Sequence, residues 1–245
     1  MIDVILNEGE YIDDLQRNGF RIIQRKDIFR FGTDSVLLSD FAGVKKRDRV
    51  IDLGCGSGAI SLLLLAKHPD ITVTGVEIQP DVARIAQRNA ILNDVEDRFS
   101  VICADMRTVH EETGYGRFSL AVCNPPYFAS GAALLSENES KRISRHEGDI
   151  TPSDIAASAF RLIKAGGRFA LIYPAPRALE MLRALEDSHL APKRIRTVHG
   201  IAGRAPKHIL IEAVKEGGKQ LHWLPPLNLK NEDGSYTPEW HRIYD

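Results

Sequence analysis

Asp52-Leu53-Gly54-Cys55-Gly56-Ser57-Gly58 is the stretch whose reading decides the fold. It follows the apolar run Val50-Ile51 and leads into the longest apolar run of the chain, Ala59 to Ala66, which is interrupted only by Ser61. A strand that breaks on spaced glycines and turns directly into a helix is the expected form. Glycines permit a tight turn and close backbone approach, and the helix N-terminus offers unpaired N–H groups. A polar or anionic ligand group is expected against this loop.

Working outward, short apolar runs alternate with helical patterns. Strands are predicted near 49–54, 72–78, 99–104, 118–123 and 167–173, with helices near 58–67, 80–93, 152–164 and 176–189. Such alternation implies a parallel sheet covered on both faces. Thr151-Pro152-Ser153-Asp154 reads as a capped helix start, and Gly166-Gly167 as its left-handed stop. Two more strands, near 194–199 and 208–215, are joined by a hairpin-like link. The expectation is an α/β fold: a seven-stranded, mostly parallel Rossmann-like sheet with a C-terminal antiparallel hairpin and helices on both faces. Three parts are expected: an N-terminal extension over 1–48 on the lid or substrate side, a ligand-binding core over 49–216, and a tail over 217–245 packed on that core.

Composition narrows the class. A chain of 245 residues with 27% charged and 43% hydrophobic residues matches an ordinary globular protein, not a disordered or fibrous one. No run approaches the roughly 20 apolar residues of a membrane span, and no basic secretory leader is visible. The three cysteines, Cys55, Cys103 and Cys123, form no C-x-x-C pair, which points to the cytosol rather than to a disulfide framework. The eight histidines show no ligand spacing, so no metal is expected. A net charge of -1 argues against an overall basic coat but leaves room for a local basic groove.

Spacing alone leaves the glycine loop ambiguous, because Gly54, Gly56 and Ala59 also fit the dinucleotide pattern G-x-G-x-x-A. Two acids separate the alternatives. Asp52, two residues before the first glycine, would repel a pyrophosphate but suits a ligand bearing positive charge. Glu77, at the end of the next strand, stands where an acid accepts hydrogen bonds from ribose hydroxyls. A ribose with a cationic neighbour and no phosphate describes S-adenosylmethionine.

On these residues, the stretch 49–216 resembles the class I S-adenosylmethionine-dependent methyltransferases. The resemblance implies that Asp52 meets the methionine end, Glu77 the ribose, and Asp105 the adenine amine. It extends cofactor contact to Thr33, Gly54, Cys55, Gly56, Gly58, Ile78, Met106 and Asn124.

The second motif is Asn124-Pro125-Pro126-Tyr127, after the fourth strand. Two prolines end a strand abruptly and stiffen the backbone at the ligand-binding edge. Asn124 supplies two carbonyl acceptors, one on the side chain and one on the backbone, and Tyr127 a flat ring. Together they suit a planar amine: the acceptors hold its two N–H groups, the ring stacks, and catalysis is mainly orientation. The proton can leave after attack, so no dedicated base is required. The tetrapeptide matches the signature of methyltransferases acting on planar nitrogen, which assigns Asn124, Pro125, Pro126 and Tyr127 to catalysis.

A closer resemblance spans most of the chain. Phe29-Arg30-Phe31-Gly32-Thr33-Asp34-Ser35-Val36-Leu37-Leu38, Arg204-Ala205-Pro206-Lys207-His208-Ile209-Leu210 and Glu232-Asp233-Gly234-Ser235-Tyr236-Thr237 look like segments of bacterial tRNA adenine-N6 methyltransferases, which modify an anticodon-loop adenine of a valine tRNA. It implies a cytoplasmic enzyme acting on tRNA, and the charge distribution offers basic clusters at 17–30, 141–145 and 193–207 that could flank one cleft and neutralise a phosphate backbone. Methylation of protein glutamine or of rRNA guanine, and a non-catalytic protein that binds cofactor and RNA, stay as alternatives. A nicotinamide oxidoreductase is more distant, because Asp52 and the tetrapeptide oppose it. Trp223 and Trp240 are expected to anchor the tail rather than to stack on RNA.

Overall fold

The computed structural model describes residues 4–26, 31–125 and 150–244. The chain opens with an antiparallel hairpin, β1 (Glu10–Asp14) and β2 (Arg21–Arg25), followed by α1 (Thr33–Phe41). The parallel core then runs β3 (Arg49–Leu53), α2 (Ala59–Lys67), β4 (Thr72–Glu77), α3 (Pro80–Leu92), β5 (Phe99–Cys103), the short α4 (His110–Thr113) and β6 (Phe118–Cys123). After position 150 come α5 (Pro152–Leu162), β7 (Ile163–Pro174), α6 (Ala178–Asp187), β8 (Leu190–Ile201) and β9 (His208–Lys215). The tail adds β10 (His222–Trp223), β11 (Leu227–Lys230) and α7 (Pro238–Tyr244).

The main sheet has the order β5-β4-β3-β6-β7-β9-β8, with β10 and β11 both on the outer side of β8. Pairings are parallel from β5 through β7 and antiparallel on both sides of β9. The α/β class, the parallel core and the antiparallel β8–β9 pair are as the sequence predicts. The strand number differs: the described sheet has nine strands, not seven. The two extra strands are two and four residues long, too short for an alternating pattern to mark them, and each pairs parallel to β8.

Side-chain alternation sorts the core. Val50 packs in the apolar cluster that contains α1 and α2, whereas Ile51 and Leu53 pack in the one that contains α5 and α6. Asp52 shares the parity of Val50 and so faces α2. Helix α2 lies between the sheet and α1, and all of Ala59 through Ala66 is buried. This is why its sequence is apolar on every side. The α1–α2 cluster also takes Leu15 and Ile22 from the hairpin and Leu227, Trp240 and Ile243 from the tail.

The expected cap of α5 is present: Thr151 Oγ1 accepts the Asp154 N–H at 3.1 Å and Asp154 Oδ2 accepts the Thr151 N–H at 2.9 Å. Its expected end is not. The helix stops at Leu162, and Ile163 is already extended at φ -85° and ψ 145°. Gly166, at φ +68°, serves a bulge instead, where the β6–β7 register shifts between Phe118 and Leu120.

Of the two tail tryptophans, Trp240 is 7% exposed and stacks between Tyr236 and Tyr244 at 5.7 and 5.0 Å, as an anchor should. Trp223 is 66% exposed on the outer strand β10 and anchors nothing comparable, which corrects the expectation for that residue.

Candidate active site

Strand register brings the sequence motifs to one edge. Leu53 pairs with Val76 on one side and with Cys123 on the other. Gly54 therefore lies beside Glu77 and Asn124. Glu77 pairs with Cys103, which puts Asp105 two residues beyond the end of β5. β3 and β6 are neighbours in space but far apart in sequence, and this reversal of strand order opens the crevice in which such sheets bind ligands.

The glycine loop is tied to β4 by Gly54 and Cys55, whose N–H groups both donate to the Val76 carbonyl at 2.9 Å. Gly54, Gly56 and Gly58 all have left-handed φ, of 72°, 56° and 88°. At Gly58, the cap of α2, a Cβ would also stand 2.9 Å from the Phe99 ring, so both the conformation and the space demand glycine. Gly75 in β4 completes the fit, since a Cβ there would meet Cys55 Sγ at 2.7 Å. Met106 is buried against the loop, its Cε 3.6 Å from where a Cβ on Gly54 would stand, and Ile78 is half-buried just past Glu77.

Two carboxylates sit beneath this loop. Asp52 is fully buried, its Oδ2 accepts the Ser61 hydroxyl at 2.7 Å, and its Oδ1 has no partner among the described residues. Burial pushes its carboxyl up to about 7; Ser61 pulls it down and Glu77 pushes it further up. Glu77 accepts the Gly56 N–H at 3.0 Å and the Gln79 N–H at 2.9 Å, and burial still holds its carboxyl above the usual range. Burial and these acids likewise push the Cys55 and Cys123 thiols up, which makes them inert packing groups.

Asp105 is held differently. Its Oδ1 accepts the backbone N–H of Arg107 at 2.8 Å and its Oδ2 accepts Arg107 Nε at 2.9 Å. Partial burial pulls this carboxyl up, but the Arg107 hydrogen bonds and charge outweigh it and leave it below the ordinary value. Asn124 is half-buried at the exit of β6 and Pro125 is buried. Pro126 and Tyr127 lie outside the described residues, as do Phe29, Arg30 and the basic cluster 141–145.

Thr33 is the exposed first residue of α1, whose cap is Gly32 with no side-chain hydrogen bond. The approach to it is fixed by buried Gln24, which donates to Asp13 at 2.6 Å and accepts the Phe31 N–H at 2.7 Å. Asp34 lies 3.8 Å from His208 at the start of β9, on the same edge of the sheet.

The run 193–207 divides by function. Arg194 pairs with Glu212 at 3.0 Å and lies over the Phe41 ring; Arg196 pairs with Glu239 at 2.8 Å; Lys193 donates to the carbonyls of Gly218 and Gln220. These three fasten α1 and the tail. Arg204 and Lys207 sit instead on the turn between β8 and β9, at the edge that carries the glycine loop.

Sequence reasoning passed over four residues that build this site. Ser61 was visible as the one polar residue in an apolar run. Asn89 is fully buried on α3: it accepts the Ile23 N–H at 2.6 Å and donates to the Ser57 carbonyl at 2.9 Å, tying the hairpin to the glycine loop. Asn93, one turn on, brackets Arg21 in the same way at 2.7 Å. An asparagine pair at i, i+4 is the available signal, because both face one side of a helix. Arg107 carries no such mark. Among the described residues, no helix is long and apolar enough to cross a membrane, and no group of three or more His, Cys, Asp or Glu could hold a metal.

Comparison with known proteins agrees with this geometry. The model of the methyltransferase small domain matches residues 26–172. A tRNA1(Val) (adenine(37)-N6)-methyltransferase of Porphyromonas gingivalis is 30% identical over 232 residues, which is 91% of this chain and 90% of that one. Its counterpart in Yersinia enterocolitica is 28% identical over 224 residues, 90% of this chain and 86% of that one. Among solved structures, a predicted O-methyltransferase from Agrobacterium tumefaciens superposes with a TM-score of 0.71 at 22% identity, covering 86% of this chain and 95% of that one. Geranyl diphosphate C-methyltransferase from Streptomyces coelicolor gives 0.53 at 18% identity, covering 74% and 78%. At these identities the structural likeness shows the fold.

Proposed function

The chain belongs to the methyltransferase small domain family and is an S-adenosylmethionine-dependent methyltransferase, and from that premise we propose that its substrate is the N6 amine of an adenine in the anticodon loop of a tRNA. The observation that carries the reading is the register at β3, which puts the glycine loop, Glu77 and Asn124 side by side. The activity of the relatives, tRNA1(Val) (adenine(37)-N6)-methyltransferases that align over nine-tenths of the chain, supports the choice of amine and RNA.

The residues present fit the cofactor. A loop with glycine at three of its five positions borders a buried carboxylate with one orphaned oxygen, and the groups that act on that carboxylate are the hydroxyl and backbone of Ser61 and an acid, Glu77. Such a site is short of positive charge. When bound, the cofactor supplies an electrophilic methyl group on a positively charged sulfur.

In this reading Asp52 holds the charged methionine end and Glu77 the ribose hydroxyls. Gly54, Cys55, Gly56 and Gly58 provide the loop, with Ile78 and Met106 as apolar walls. Asp105 takes the adenine amine after exchanging its Arg107 partner. Thr33 closes the methionine end. Asn124, stiffened by Pro125 and Pro126, takes the two N–H groups of the target amine, and Tyr127 stacks on its base. The attacking nitrogen then loses its proton to solvent. An anticodon-loop base is unpaired, so it enters the crevice at lower cost than a base in a duplex.

RNA is held by the clusters at 17–30, 141–145 and 193–207, with Arg204 and Lys207 contributing most within the last. The segments 1–48 and 217–245 serve as a substrate-side extension and a packed tail on the 49–216 core, and the enzyme works in the cytoplasm. The test is incubation with methyl-labelled S-adenosylmethionine and unmodified small RNA, digestion to nucleosides and mass spectrometry. Labelled N6-methyladenosine that disappears with Asn124→Ala is the expected result; label in guanine or in protein overturns the reading.

A further inference from the structure

The Asp52 carboxylate is supported by a single side chain. Ser61 Oγ donates to Oδ2 at 2.7 Å, and Oδ1 is buried without a partner among the described residues. Ser61 is itself fully buried and is the only polar side chain in the run Ala59 to Ala66. A serine inside a helix commonly bonds back to the carbonyl four residues earlier. Here that carbonyl belongs to Ser57 and is taken by Asn89 Nδ2 at 2.9 Å. The Ser61 hydroxyl is thereby left to the carboxylate. The groups that act on Asp52 come from every side: the hydroxyl and the backbone of Ser61 from α2, Glu77 from β4, Cys55 from the loop and Cys123 from β6. None of them is a cation.

We propose that Ser61 is a positioning residue, whose hydroxyl holds Oδ2 so that Asp52 presents an ionised Oδ1 to the positively charged methionine end of the cofactor. This rests on the reading of Asp52 as the carboxylate that meets that end. Cofactor binding is then linked to a proton. Below about 7 Asp52 is protonated in the free enzyme, and the apparent affinity falls in proportion to the ionised fraction, about tenfold per pH unit. Loss of the Ser61 hydroxyl removes a group that favours the charged form, so the midpoint of this profile moves to higher pH.

The experiment is calorimetric titration of the full chain with S-adenosylmethionine from pH 5.5 to 8.5, for the wild type, Ser61→Ala, Ser61→Cys and Asp52→Asn. Comparing variants at equal pH cancels the titration of the ligand's own amine, whose ordinary value is about 8. The wild type is expected to tighten up to about pH 7 and then level. Ser61→Ala is expected to bind about tenfold more weakly at pH 7, with the gap narrowing as pH rises. Ser61→Cys, a weaker donor of similar size, is expected to fall between them and covers the case in which the alanine variant does not fold. A weakened Ser61 variant whose midpoint stays at the wild-type pH reduces Ser61 to a packing residue and overturns the proposal. Unchanged affinity in Asp52→Asn overturns instead the reading on which it rests.

Discussion

Asp48, the residue just before the five-residue strand β3, and Asp52, near the strand's other end, are both buried, and their carboxyls are shifted in opposite directions. At the lower end, Asp48 accepts the Lys45 N–H and the Ser119 hydroxyl, both at 2.7 Å, and pairs with Arg168, which also donates to the Gly43 carbonyl. Burial pulls this carboxyl up, but the donors together hold it below the usual range. At the upper end Asp52 has only the hydroxyl and backbone of Ser61 and an acidic neighbour, and burial raises its carboxyl to about 7. Three residues of chain separate a carboxylate saturated by the fold from one the fold leaves short. The first is an arrangement for stability. The second is short of positive charge, which is what the proposed contact with the charged end of the cofactor would supply.

The largest effect should come from breaking the saturated end. Asp48→Ala leaves Arg168 buried without its partner, and about 3–5 kcal/mol of stability should be lost in denaturant titration. Cofactor affinity of the folded protein should hardly change. A loss below about 1 kcal/mol would show that the network does not act as a unit.

Asp52→Asn should do the reverse. Cofactor affinity should fall about 100-fold, equivalent to about 2.7 kcal/mol, while the free protein at pH 8 becomes more stable. The sign follows from the raised carboxyl. Asp52 is favoured in its protonated form on folding, so it contributes stability up to the ordinary carboxylate range near 4, and that contribution is lost as pH rises to about 7. Asp48, with its lowered carboxyl, contributes stability that is present above that range and lost as pH falls below it. Thermal melts across pH 3 to 8 should show the 4-to-7 decline shrink in Asp52→Asn and the acid-side loss shrink in Asp48→Ala.

A smaller effect is expected between the two ends. Asn89→Ala frees the Ile23 N–H and the Ser57 carbonyl, and should cost about 2 kcal/mol together with several-fold in cofactor affinity. A stability loss with unchanged affinity would confine Asn89 to the hairpin. The smallest is Thr151→Ala, which removes the cap of α5 at about 1 kcal/mol and should leave cofactor affinity untouched.

What could be read from the sequence was what is local in the chain. The glycine loop, Asp52 and Glu77 declare themselves because turn, strand end and helix start are all within a few residues. The cap at Thr151 is equally local. Ser61 and Asn89 escaped because their partners lie 9 and 32 or more residues away and depend on helix register. How the run 193–207 divides was hidden for the same reason. Its charges look continuous in the chain, but Arg194 and Arg196 meet Glu212 and Glu239 from distant segments, whereas Arg204 and Lys207 sit on the β8–β9 turn, at the edge that carries the glycine loop. Trp223 looked like an anchor because aromatic type marks burial only on average. Asp105 was legible as an acid at the end of β5, but its hydrogen bonds to Arg107 were not, because nothing in the local pattern marks that arginine.

The most direct test is a carbon-13 NMR titration of the aspartate carboxyls, assigned with Asp48→Asn and Asp52→Asn, with and without S-adenosylmethionine. The account predicts that free Asp52 titrates near pH 7 and moves well downward when cofactor binds, while Asp48 stays below the ordinary range in both states. An Asp52 that titrates near 4 and does not respond to cofactor would contradict it.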